Sequence, residues 1–255
     1  MGGSISEISG SAVLGAFLLF CRIGGCLMIA PGVSNSQIPM QIRLFIAIAA
    51  TLGLAPMLLA QEPLRHLGDD PLAMLRMIAM EGLIGTLIGT LGRLFFAALE
   101  TMATVLAQLL GLANPFGVEF DSGHGAAPIS TLVMLAATAL LFAGDFHWEI
   151  LRGLVASYKA IPLRTDFDPS YSVRQLGDVL GQSFLVAVRV GSPFFLYSVI
   201  ANFALTLISR VTPQIQVFFM APPFIIAGGV LLLYFVVKGM LGQFLDGFGA
   251  WLTWG

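Results

Sequence analysis

Charge is what this chain lacks most. Of its 255 residues only 10% are charged, while 57% are hydrophobic. A soluble domain carries about 25% charged residues, and so few charges cannot cover a water-facing surface. The chain therefore needs lipid, other apolar subunits, or both around it. Its net charge of -2 and the absence of a basic tract argue against a nucleic-acid partner. Cysteine is nearly absent too. Cys21 and Cys26 lie five apart in an apolar run, so on a helix they point in different directions. That spacing disfavours a disulfide and makes no metal site, which leaves two small packing residues. The three histidines, His66, His124 and His147, have no second histidine at metal spacing. In "GDFHWE", His147 and Glu149 fall on opposite sides of a helix. No phosphate loop, nucleophile motif or Gly-rich strand–helix turn is present. The expectation is a protein that is not an enzyme and holds no cofactor or metal. Basic residues are also missing ahead of the first apolar run, since Arg22 lies inside it. A secretory signal needs a positive region before its apolar core, so 12–30 is expected to be a permanent segment. A bacterial inner membrane is the simplest location.

What the chain has is apolar length. Runs long enough for membrane segments occupy about 12–30, 42–60, 77–111, 127–157, 179–209 and 215–250. A spanning helix needs about 20 apolar residues, so about six segments are expected, and the longer ones must tilt, kink or fold back. The fold class expected is all-α: an integral membrane-type helical protein of about six long, broken or hairpin-folded helices. Polar breaks fall at 31–39, 61–71, 111–128 and 158–178. The positive-inside rule does not thread them. Arg22 and Arg43 place the first connection inside, yet strict alternation then puts Lys159, Arg164 and Arg174 outside. Simple serpentine threading is therefore disfavoured.

Some charges nevertheless sit in or beside apolar runs: Arg22, Arg76, Glu81, Arg93, Glu100, Arg189 and Arg210. Such groups are expensive in lipid and face a bundle interior or a wet cavity. Arg93 and Glu100 share a helix face, and Asp145, Glu149 and Arg152 follow an i, i+4, i+7 pattern on another. As buried charge partners, Arg22, Glu81, Arg93, Glu100, Asp145, Glu149 and Arg152 admit three readings: ion pairs that fix helix contacts, a proton or ion relay, or the lining of a protein-conducting path. Gly82, Gly85, Gly89 and Gly92 recur at spacings of three, four and three. They make a narrow stripe that lets another backbone approach closely.

Several longer motifs occur in a fixed order. "CRIGGCLMIAPGVSNSQIPMQIRLFIAIAATLGLAP" carries Arg22, Pro31, Pro39, Arg43 and Pro56. "EGLIGTLIG", "LGLANPFGVEFDSGHGAAPIS" and "AGDFHWEIL" follow. "SRVTPQIQVFFMAPPF" supplies Arg210, Pro213, Gln214, Val217, Phe218 and Pro222. Over nearly its whole length the chain resembles the FliR/SctT family of type III secretion export-gate proteins. It departs from the family pattern at Asp145–His147 and at Met220–Pro223. The resemblance implies a FliP-like part over about 1–178 and a FliQ-like helical hairpin over about 179–255. It implies FliP, FliQ and FlhB-type partner subunits and membrane lipid around the gate. It also implies flagellar rod proteins and unfolded export substrates as partners, with unfolded flagellar proteins passing through the gate's centre. The place implied is the flagellar basal body in the inner membrane. A SctT-type subunit of a virulence secretion system is the alternative within the family. A secondary transporter with discontinuous helices is the alternative outside it, and no internal repeat supports that one.

Two elements carry specific expectations. In the family, the loop matching 111–128 plugs the central channel; here it holds Gly111, Asn114, Pro115, Phe116, Gly117, Asp121, Gly123, His124 and Gly125. Gly-rich backbone suits an element that is compact when closed and movable when open. In "SRVTPQIQVFFMAPPF", Pro213 disfavours helix at Thr212. A sharp reversal is expected at about 210–214, with Arg210 and Gln214 serving the freed backbone groups. Pro222 and Pro223 are expected to interrupt the chain again, leaving only a short helix between the two breaks.

Overall fold

A computed structural model describes residues 5–34, 38–61, 71–112, 128–162, 169–212 and 217–254. These residues form seven helices: α1 (Ile5–Ile29), α2 (Met40–Gln61), α3 (Pro71–Leu109), α4 (Pro128–Ala143), α5 (Phe146–Ala160), α6 (Pro169–Val211) and α7 (Val217–Trp254). No strand occurs among the described residues. Proline sets several starts. Pro71, Pro128 and Pro169 each occupy the first helical position, where a missing N–H costs nothing and the fixed φ suits the helix. α3 ends at Gly111, whose φ is +69°. There the Leu112 N–H donates to the Ala107 carbonyl at 2.7 Å and the Gly111 N–H to the Gln108 carbonyl at 3.0 Å. A left-handed glycine of this kind satisfies carbonyls that a helix end leaves open.

The six apolar runs become seven helices because the run at 127–157 is not one element. α4 and α5 meet at Gly144–Asp145 with a bend of 69°. Asp145 takes a φ of +60°, a left-handed conformation that an aspartate tolerates better than most residues. α2, α3, α6 and α7 hold stretches of 20, 39, 38 and 33 residues, long and apolar enough to cross a membrane, and the bent α4–α5 pair makes a fifth.

The chain folds as two compact units. The first contains Met1–Leu94 and Asp145–Val179, the second Phe95–Gly144 and Leu180–Gly255. In the first, α1 buries Leu18, Leu19, Ile23, Cys26 and Leu27, a set that recurs at helical period. α2 meets it with Ala47, Ala55 and Leu58, and α5 with Leu154 and Tyr158. Small residues on α2 let two helices lie close. In the second unit the core is aromatic. Phe96 of α3 packs edge-on against Phe244 and Phe248 of α7, with ring centroids at 5.2 and 5.7 Å. Trp251 lies 5.3 Å from Phe95. Glycines permit the tightest approaches: a Cβ on Gly191 of α6 would collide with the Met102 side chain, and one on Gly247 of α7 with Val186 at 2.9 Å.

The prolines do not break the helices as expected. Pro222 and Pro223 lie inside α7, and Pro193 lies inside α6. The expected second interruption at 222–223 is therefore corrected: the segment after residue 216 is the start of one 38-residue helix. Only the carbonyls four residues upstream of each proline lose a donor. At Pro193 that carbonyl belongs to Arg189, and the Ser192 hydroxyl donates to it at 2.8 Å.

Candidate functional site

The clearest chemical centre in the first unit is Arg22. Its side chain lies on the α1 face that also carries Leu18, Leu19, Ile23 and Cys26, and it is fully buried. A buried guanidinium must use every donor, and this one does. Nε donates to Glu81 Oε2 at 2.6 Å and Nη2 to Glu81 Oε1 at 2.9 Å. Nη1 and Nη2 both reach the Ile161 carbonyl, at 3.0 and 3.1 Å. Nη1 also reaches the Ser157 hydroxyl at 3.4 Å. The Tyr158 ring lies below the guanidinium, 4.1 Å from its carbon. Ile161 is the C-cap of α5, so the arginine places positive charge where the helix dipole and its open carbonyls favour it. One side chain thus ties α1 to α3 through a forked ion pair and to α5 through its C-terminus.

Directly beside this pair, α1 and α3 touch backbone to backbone. A Cβ on Gly85 would run into the Arg22 carbonyl, and one on Gly89 would sit 2.5 Å from the Cys26 carbonyl. From the other side, a Cβ on Gly25 would meet the Gly82 carbonyl at 3.0 Å. A Cβ on Gly82 itself would meet nothing within 4 Å, and Gly92 is buried. The connection after α1 is held by two more arginines. Arg93 Nη1 donates to the Ser34 hydroxyl at 2.6 Å and Arg43 Nε to the Ile38 carbonyl at 3.0 Å.

The other charges lie elsewhere. Arg93, Glu100, Asp145 and Arg152 are exposed rather than buried, which corrects the expectation for these four. Asp145, Glu149 and Arg152 do not form one helical stripe either. Asp145 lies outside α5 in its left-handed turn, while Arg152 Nη1 pairs with Glu149 Oε1 at 2.6 Å on an open face. Spacing alone missed the Arg22–Glu81 pairing because the partners are 59 residues apart.

Of the expected plug, only Gly111 lies among the described residues; Asn114, Pro115, Phe116, Gly117, Asp121, Gly123, His124 and Gly125 lie outside them. At the expected reversal, α6 closes with the Thr212 N–H donating to the Ile208 carbonyl at 2.9 Å. Pro213 and Gln214 are outside the described residues. Arg210 lies exposed in the last turn of α6; Val217 and Phe218 begin α7, and Pro222 follows one turn later. Near that end, Tyr197 Oη donates to the Ile225 carbonyl at 2.8 Å and joins α6 to α7.

The buried ion pair and the glycine-mediated contacts hold helices to helices. Comparison with known sequences decides the class. The sequence model described as "Bacterial export proteins, family 1" matches residues 13–251. The chain belongs to this family. Among similar members, the flagellar biosynthetic protein FliR of Caulobacter vibrioides is 27% identical over 231 residues, 91% of either chain. The Yop proteins translocation protein T of Yersinia pestis is 26% identical over 248 residues, 94% of this chain and 92% of that one. FliR of Escherichia coli is 24% identical over 213 residues, covering 83% and 80%. Membership agrees with the FliR/SctT resemblance read from the motifs. In this export-protein family, Arg22, Gly85 and Gly89 fall in two of the stretches that carried that resemblance.

Proposed function

We propose that the chain is a subunit of the flagellar type III protein export gate, seated in the bacterial inner membrane at the basal body. With FliP- and FliQ-type subunits it forms the channel through which unfolded flagellar proteins leave, and an FlhB-type subunit wraps the closed gate. The observation that carries this reading is the export-family match over 13–251, joined by flagellar relatives aligned along nearly their full length. The role is structural rather than enzymatic: the chain supplies helices that pack, a turn and a plug. On this reading 1–178 is the FliP-like part and 179–255 the FliQ-like hairpin. Deleting the gene is expected to abolish gate assembly and secretion of hook and filament proteins. Normal motility and secretion in the deletion strain would overturn the assignment.

A virulence-type gate is the second reading, favoured by the Yersinia translocation protein, which aligns with 94% of this chain. Loss of secreted effectors with flagella intact would select it. On either reading the segment from Gly111 through Gly125 acts as the channel plug. Excising 117–125 is expected to make resting membranes leaky to ions. If they stay as tight as wild type while the gate assembles, the plug assignment fails.

A further inference from the structure

One residue breaks a helix that the sequence around it would continue. The stretch "ALLFAGDFHWEILR", 139–152, contains no proline, yet α4 and α5 turn by 69° within it. α6 and α7 contain Pro193, Pro222 and Pro223 and run on through them. The chain therefore bends where the strong helix breaker is missing and stays helical where it is present. Gly144 is the single weak breaker at the corner.

The departure from helix centres on Asp145. Before it, the Gly144 N–H still donates to the Leu140 carbonyl at 2.8 Å, a helical i to i−4 bond; after it, Phe146 opens α5. Asp145 lies between them at φ 60° and ψ 15°. Among the described residues it is the one non-glycine residue with a positive φ. L residues avoid this region, aspartate less than most. An N-cap residue ordinarily takes an extended conformation and offers its side chain to the N–H groups of the first turn. Asp145 does neither: it is left-handed, and its carboxylate makes no cap bond. Only its carbonyl takes part, accepting from the Trp148 N–H at 3.0 Å. Rotation chiefly of its own φ and ψ to about −63° and −42° would join 128–160 into one helix.

What holds the bend lies away from it. α5 is anchored through Ile150, Leu154 and Tyr158. Its C-terminal end is held as well, by the Arg22 guanidinium on the Ser157 hydroxyl and the Ile161 carbonyl. α4 touches α7 and buries one residue per turn, Ser130, Val133, Ala137 and Leu141, most of them small. Burial of so little apolar surface holds α4 less firmly than α5. A strained residue that its surroundings hold, in a sequence that locally prefers another conformation, marks an element with two packings.

We propose that Asp145 is the hinge of a two-state device. In the bent form, seen here, α4 lies against α7. In the straight form Asp145 is helical, α5 keeps its bonds to Arg22, and α4 swings away from α7 as the first half of one helix over 128–160. The gating role of this movement rests on the export reading: the bent form belongs to the resting gate and the straight form to the conducting one.

The test measures the corner in the full chain within its native membrane complex. Cys21 and Cys26 are replaced by Ala, and spin labels are placed at Leu132→Cys and Lys159→Cys, both exposed positions. At about 1.5 Å per residue, these backbone positions lie about 40 Å apart in a straight helix and about 32 Å apart across a 69° bend. Asp145→Gly accepts the left-handed region freely and is expected to give the short distance alone. Asp145→Ala avoids that region and favours helix, so it is expected to add the long distance. Its straight-to-bent ratio is expected to exceed that of the glycine variant at least about tenfold. Resting membranes are expected to leak ions more with the alanine variant than with the glycine variant, in step with the straight fraction. The short distance alone in both variants overturns the proposal. So does an Asp145→Ala chain that loses its fold in a label-free melt, since the straight form is then not a folded state. The long distance without added leak overturns the gating role. Failure of the export reading shows separately, as secretion and motility that survive deletion of the gene, and leaves the two distances unchanged.

Discussion

Replacing Glu81 with Ala strands a fully buried guanidinium, and the size of the effect follows from the geometry. Arg22 loses two of its five hydrogen bonds, both charge-assisted, and keeps its charge where no water reaches it. Removing one partner of a buried pair costs about 3–5 kcal/mol. Arg22→Leu is expected to cost as much, because it takes the guanidinium from the buried Glu81 carboxylate and from the Ile161 carbonyl together. The double variant Arg22→Leu/Glu81→Leu removes both charges. Its main penalty is the Ile161 carbonyl left without donors, about 1–3 kcal/mol. The two single losses sum to about 6–10 kcal/mol, so the double variant is expected to be several kcal/mol better than additive. The assay is thermal unfolding of the detergent-purified chain. At about 2–4 °C per kcal/mol, each single variant is expected to melt about 6–20 °C lower and the double variant about 2–12 °C lower. Additive losses, or single losses under about 1 kcal/mol, would refute the reasoning, since they would mean that water reaches the pair. Arg22→Lys adds a control: it keeps the charge but not the fork, and cannot serve Glu81 and Ile161 together.

The remaining expectations follow from contacts already described. Gly85→Leu and Gly89→Val force side chains into the α1 backbone and are expected to cost more than the about 1–3 kcal/mol of ordinary overpacking, read as lost expression or a lowered melting point. Gly82→Ala meets open space, so it is expected to be neutral or to gain up to about 1 kcal/mol from helix propensity. Arg152→Ala breaks only an exposed i, i+3 pair and is expected to change stability by less than about 0.5 kcal/mol, with export unchanged. Ser192→Ala removes the donor that serves the Arg189 carbonyl at the Pro193 gap and is expected to cost about 1 kcal/mol, while Ser192→Thr retains the donor and the stability.

Much of the fold was legible because membrane-type helices announce themselves by length. Each of the six apolar runs contains a helix or a bent pair, and the prolines at 71, 128 and 169 mark three starts. The break inside 127–157 was not legible, because Gly144 and Asp145 are ordinary residues in an apolar context and only the left-handed φ of Asp145 reveals the turn. The prolines at 222–223 were misread for the opposite reason. Proline removes a donor, but a helix long enough to be held by packing on both sides of the gap carries the loss. Charge was half legible. Sequence could mark Arg22 and Glu81 as misplaced in apolar runs, but partners on separate helices share no spacing rule. The i, i+4, i+7 rule applied to 145–152 presumed one continuous helix, and the helix begins only at Phe146.

A chain with so little charge places each ionic group under a different constraint, and the constraint identifies the surroundings. Arg22 sits where water is absent and answers with five hydrogen bonds inside the chain. The Ser192, Ser198, Asn202, Thr206 and Ser209 side chains answer in the same way, each closing on a carbonyl of its own helix, while the Tyr197 hydroxyl closes on Ile225 of α7. Arg189, Lys238 and Asp246 do neither, although they lie on helices that are long and apolar enough to cross a membrane. If hydrocarbon surrounded them, each would cost about 2.5–3.5 kcal/mol by insertion scales, and nothing within the hairpin offsets that. An exposed charge on an apolar helix therefore requires water or the polar groups of a neighbouring subunit at its own level, and composition alone does not say which residues of the run carry that requirement.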